Sequence, residues 1–165
     1  MMARSWVIVF FALESLSCAV AAPPGAVQRA GVAALDEQDF IALPSLRELD
    51  PEVRAELYRR AGGEPMANAG ERFQSTDVVM EKLPSRRFVV GGRERGAGGL
   101  WVLCYEHGGI AYHYHVGVLR RSGDAFAVVS AGQWVPKPKD LQGSITLEKV
   151  LRAVRNGELL DDGHW

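Results

Sequence analysis

The sequence predicts an α+β fold: a four- or five-stranded antiparallel meander sheet with an N-terminal helical segment and a C-terminal helix packed on it. Three observations carry this. Four runs between Arg86 and Trp134 are rich in β-branched and aromatic residues and alternate in the manner of half-buried strands. Apolar residues recur at helical spacing on both sides of that region. Glycine, proline and charged residues separate the runs at hairpin intervals.

Taken in order, the first 22 residues have the layout of a secretory signal peptide. Met1 to Arg4 supply a positive start, Trp6 to Leu13 an uncharged apolar stretch, and Ala19-Val20-Ala21 a small-x-small cleavage pattern. The apolar stretch is far shorter than the roughly 20 residues that span a bilayer. Export to the periplasm or the exterior is therefore expected. A lipid anchor on Cys18 fits poorly, because Ser15 stands where a lipobox carries a branched aliphatic residue. Residues 23–34, opening Pro23-Pro24-Gly25, show no period and are expected to form a flexible mature N-terminus. A single domain is expected over 35–160 and a short tail over 161–165.

A first helix is expected at Pro51. Asp50 is placed to cap it, Pro51 loses no useful N–H at the first position, and Gly62 can take the left-handed conformation at its end. Val53, Leu57, Tyr58 and Ala61 share its apolar face, and Arg54, Arg59 and Arg60 its wet side. Ser45 and Glu48 have capping-box spacing for a shorter turn before it. The strands are expected at Arg86–Gly91, Leu100–His107, Ile110–Arg120 and Ala125–Trp134, with Val78–Met80 as a further edge strand. Gly91 to Gly99 reads as a flexible, charged hairpin loop and lacks the Lys-Ser/Thr of a phosphate-binding loop. Val135 to Lys139 is an extended connection, since two prolines in three residues stop both ladder and helix. Leu147, Val150, Leu151 and Val154 then mark the last helix, with Thr146 or Ser144 as its cap and Gly157 as its stop.

Composition narrows the function classes. The chain has 165 residues, 19 basic and 20 acidic side chains and a formal net charge of −1, which gives nucleic acid no electrostatic purchase. Fifteen arginines against four lysines suit a GC-rich bacterial genome. Two cysteines, Cys18 and Cys104, exclude a disulfide-dense scaffold.

A tight turn at Gly108-Gly109 would pair Tyr105 with Tyr112, Cys104 with His113 and Val102 with His115. A similar turn at Ser122-Gly123 would set Gly132 beside His113 and Ser130 beside His115. One sheet side then carries the main core. The other gathers Cys104, Glu106, His113 and His115, with Phe126, Val128 and Trp134. Those four polar residues form a candidate ligand set of nitrogen, sulfur and oxygen suited to zinc, although alternating Tyr and His more simply make a plain half-buried strand. His107 falls on the other side in this register. Cys104 beside His113 also has the relation of nucleophile and base, although a lone exported cysteine is more simply a packed one. Every grouping here depends on register, because a one-residue slip flips a strand.

The leading expectation is an exported, non-catalytic binding domain. Its partner is an envelope or extracellular protein or a cell-wall ligand, met through a sheet face or through Arg93, Arg95 and Trp134. A metal-dependent or Cys/His extracytoplasmic enzyme is the alternative, and a carrier of a small apolar ligand the third reading. No cofactor is required by the first of these, and zinc is the cofactor of the second. Nothing in the chain sets an oligomeric state.

Overall fold

The computed structural model describes residues 32, 35–76, 82–96, 99–109 and 112–161. The leader, Val78–Met80 and residues 162–165 lie outside the described residues. Five strands, β1 (Phe40–Leu43), β2 (Arg86–Glu94), β3 (Leu100–His107), β4 (His113–Ser122) and β5 (Ala125–Trp134), form one antiparallel sheet in sequence order. Two α-helices whose residues are described throughout, α1 (Pro51–Arg60) and α2 (Leu147–Arg155), pack on it.

The helices do not share a face. Val53, Leu57 and Ala61 of α1 pack with Phe88, Trp101, Leu103, Tyr105 and Leu119. Val150, Leu151 and Val154 of α2 pack with Val90, Val102, Cys104, Val116, Val118 and Trp134. Each strand of the middle of the sheet is thus buried on both sides, which explains why β3 reads as a continuous apolar run more than as an alternation. The expectation of a main core on one side of the sheet is corrected by this arrangement, since each side packs against one helix.

The helix ends follow local chemistry. Pro51 occupies the first turn of α1, and Gly62 at φ +91° follows its last residues. Asp50 makes no side-chain cap, contrary to expectation. Ser45 caps a 3-10 turn over Leu46–Glu48, and Thr146 caps α2 by accepting from the Lys149 N–H.

The described fifth strand is Phe40–Leu43, paired with β2 from Glu94 back to Gly91. Residues 91–94 are accordingly strand, and the flexible-loop reading of Gly91 to Gly99 is corrected over them. Gly92 is there for contact: a Cβ would stand 2.8 Å from both methyls of Leu147, so the first turn of α2 rests on bare backbone.

Two bulges adjust the ladder. Val89 is the extra residue of β2 between Phe88 and Val90, and Val129 that of β5 opposite Val118 and Leu119. Both valines pack on the α2 side of the sheet. Gly123, at φ +62°, and Asp124 form the β4–β5 turn, one position later than expected, and this together with the Val129 bulge sets Gly132 beside Val116 and Ser130 beside Val118.

Candidate metal centre and carboxylate pocket

The β3–β4 connection decides the site. Residues 108–112 form it, in place of the expected two-residue turn, and the pairs are Cys104 with Val116, Tyr105 with His115, Glu106 with Tyr114 and His107 with His113. The register is displaced by three residues, an odd number, so β4 presents the opposite face to the one expected. Cys104 and Glu106 fall on the α2 side, away from His113 and His115. The four-residue ligand set and the Cys104/His113 dyad are both corrected by that displacement. His107, set aside in the expected register, joins the two histidines.

Close approach of another segment helps to shape the connection. A Cβ on Gly108 would lie 2.0 Å from the Gln74 carbonyl oxygen and 2.6 Å from Ser75 Cα. Gly109 donates to the Ser75 carbonyl at 3.4 Å and Gly108 to the Ser85 carbonyl at 3.4 Å. The 74–75 segment therefore lies directly against the start of the loop, where only glycine fits.

His107, His113 and His115 each offer a ring nitrogen within 4.8 Å of the others. The Nε2 atoms of His113 and His115 are 2.8 Å apart. His115 is buried and stacks on Tyr105, with ring centroids 4.8 Å apart and planes 13° from parallel, while His107 and His113 are half-buried. Burial and the charges of Arg86 and His113 hold His107 below the ordinary imidazole range, against a smaller upward pull from Glu64. It is thereby favoured in the neutral form that ligates metals. Arg86 pairs with His107 across the ladder and forms an ion pair with Glu64 at 3.5 Å. Around tetrahedral zinc, with bonds of about 2.0–2.1 Å, ligand nitrogens stand about 3.3 Å apart. The cluster brackets that spacing, so modest ring rotations would gather it round an ion.

The other side of the same sheet end holds Glu106. It is 2% exposed and accepts hydrogen bonds from Arg87 Nε and from the Tyr112 hydroxyl. Arg87 also donates to the Glu71 carbonyl at 3.0 Å and lies over the Phe73 ring at 4.5 Å. Glu106, Arg87 and Tyr112 line a cavity of about 350 Å³ together with Tyr114, Leu141 and Ile145. Burial and the Glu106 charge push the Tyr114 hydroxyl up to about 12, so it stays protonated at neutral pH. Cys104, fully buried, is a packed thiol whose ionisation burial pushes strongly upward, the reverse of an activated nucleophile.

The expected interaction residues separate. Arg93 is exposed, with its guanidinium 5.8 Å from the Trp101 ring centroid. Arg95 is exposed and bonds the Gln38 carbonyl, tying β2 to the segment before β1. Trp134 is 1% exposed and belongs to the core, so the surface role expected for it is corrected.

The signal for the histidine cluster was present in the numbering. Positions 107, 113 and 115 are all odd, so any register that pairs odd with odd gathers them on one face. Only the assumed turn length hid this. Compared with known protein families, curated proteins and solved structures, the chain matches none of them.

Proposed function

We propose that this is an exported binding domain whose His107, His113 and His115 take one divalent transition-metal ion, zinc in the first instance. The observation that carries the reading is the approach of three imidazole nitrogens to within 4.8 Å of one another at one end of the sheet. Imidazole suits zinc, copper and nickel, and three histidines leave a fourth tetrahedral position for water or a partner's ligand. Export is inferred from the pattern of Met1–Arg4, Trp6–Leu13 and Ala19–Ala21. No helix among the described residues is long and apolar enough to cross a membrane.

The half-buried state of His107 and His113 favours a second reading, in which the open position holds a hydrolytic water. Elemental analysis and zinc titration of the chain from Pro23, prepared without a histidine tag or chelator, test the proposal. Close to one ion per chain is expected, lost in His107→Ala and His113→Ala and kept in Cys104→Ser and Glu106→Gln. Absence of stoichiometric uptake from a folded protein refutes it. Ester hydrolysis by the zinc-loaded protein alone, abolished in His113→Ala, would select the second reading.

A further inference from the structure

The cavity on the opposite face of the sheet is a second site, independent of the histidines. We propose that it binds a neutral, hydroxyl-bearing ligand of monosaccharide size. Its volume of about 350 Å³ lies at the small end of ligand pockets. Its charge is internally balanced, because Glu106 is paired with Arg87. A charged ligand would bring a charge with no counter-ion into this site, at a desolvation cost that nothing there offsets.

The polar groups specify what the ligand offers. Each Glu106 oxygen accepts one hydrogen bond, from Arg87 and Tyr112 respectively. A carboxylate has about four acceptor positions, so about two remain open to ligand donors. Tyr114 is 8% exposed and lines the cavity, and its hydroxyl makes no hydrogen bond among the described residues. A ligand alcohol can donate to the carboxylate and also exchange a hydrogen bond with the tyrosine, which makes it the simplest group to satisfy both. Tyr112 and Leu141, 45% and 53% exposed, add large apolar surface to the lining. Polar edges with apolar C–H faces are the chemistry of a pyranose ring.

The wall facing the sheet is fixed in advance. Lys149 Nζ of α2 donates to the carbonyls of Asp140, Gln142 and Ser144 at 2.8, 2.8 and 2.9 Å, and buried Asp140 pairs with Arg152. That network holds the turn carrying Leu141, Gly143 and Ser144, so little ordering remains to be done on binding.

The test is ligand-detected NMR and calorimetry on the chain from Pro23 with glucose, galactose, N-acetylglucosamine and cellobiose, each to about 20 mM, a weak-binding range. Glucosamine, glucose 6-phosphate and uracil serve as charged and heteroaromatic comparisons. At least one neutral saccharide is expected to saturate at one per chain. Tyr114→Phe and Glu106→Gln should each weaken it at least tenfold, and His113→Ala should leave it unchanged, which separates this site from the metal centre. Tyr114→Phe should keep its urea midpoint, since the lost hydroxyl bonds nothing among the described residues. The proposal is overturned if no neutral saccharide saturates, if the charged sugars or uracil bind better, or if Tyr114→Phe leaves saccharide affinity intact.

Discussion

Replacing Arg87 by methionine isolates the energetics of the carboxylate pocket. The substitution keeps much of the aliphatic stem and removes three interactions: the ion pair to Glu106, the hydrogen bond to the Glu71 carbonyl, and the guanidinium over Phe73. Stranding a buried charge typically costs about 3–5 kcal/mol. Here the Tyr112 hydroxyl stays bonded to the carboxylate, and the cavity gives water a route to it. The total loss is therefore set at about 3 kcal/mol, with the cation–π contact supplying under about 1 kcal/mol of it. With a urea slope of about 2 kcal/mol per molar, the midpoint should fall by about 1.5 M. Glu106→Gln, which keeps an acceptor and removes the charge, should cost about 1 kcal/mol. If the ion pair is the source, the double variant should be only about 2 kcal/mol below the parent, a coupling of about 2 kcal/mol. A midpoint shift below about 0.5 M for Arg87→Met, or strict additivity in the double variant, refutes the assignment.

Three further outcomes are expected. Gly92→Ala forces a Cβ to within 2.8 Å of both Leu147 methyls, and urea unfolding should show a loss of about 1–3 kcal/mol from overpacking. Cys104 should resist iodoacetamide at pH 8 and be labelled only at the rate of unfolding, as its burial and raised ionisation require; rapid labelling of the native chain contradicts the packing described. Glu56 is held below its ordinary value of 4.5, chiefly by its hydrogen bond from Arg59 and further by Arg60. Because the folded carboxyl is the stronger acid, its contribution is complete above about pH 5 and fades as pH falls through the folded value below 4.5. Urea midpoints of the parent and Glu56→Gln should therefore differ at pH 7 and converge toward pH 3, and a gap that widens on acidification contradicts the pairing.

Much of this architecture was legible because local chemistry and tertiary demand agree. Strands β3 and β5 have the expected bounds, since Leu100–His107 and Ala125–Trp134 each end at a glycine, proline or charged boundary. The faces of α1 and α2 follow from the spacing of Val53, Leu57 and Ala61 and of Val150, Leu151 and Val154. Strand β1 escaped notice because four residues carry too little periodicity to stand out, and pairing with Gly91–Glu94 is what makes them a strand. The site was misassembled for a different reason. Gly108-Gly109 has the composition of a two-residue turn, but the 74–75 segment, distant in sequence, lies close against Gly108, and β4 begins only at His113. A contact of that kind leaves no periodic trace. It moved His107 into the cluster and Cys104 and Glu106 out of it.

The strand order has a consequence for how the chain acquires its structure. Each strand lies beside its sequence neighbour, so the ladder can grow hairpin by hairpin with short loops to close at most steps. The α2 face differs. Val102, Val116, Val118 and Trp134 remain bare until Val150, Leu151 and Val154 arrive, and those come from the last tenth or so of the described chain. A nascent molecule stopped before residue 147 would carry a finished sheet with one greasy surface turned outward. In that interval it is open to self-association, and a holdase chaperone bound to that surface would protect it until the final helix is delivered.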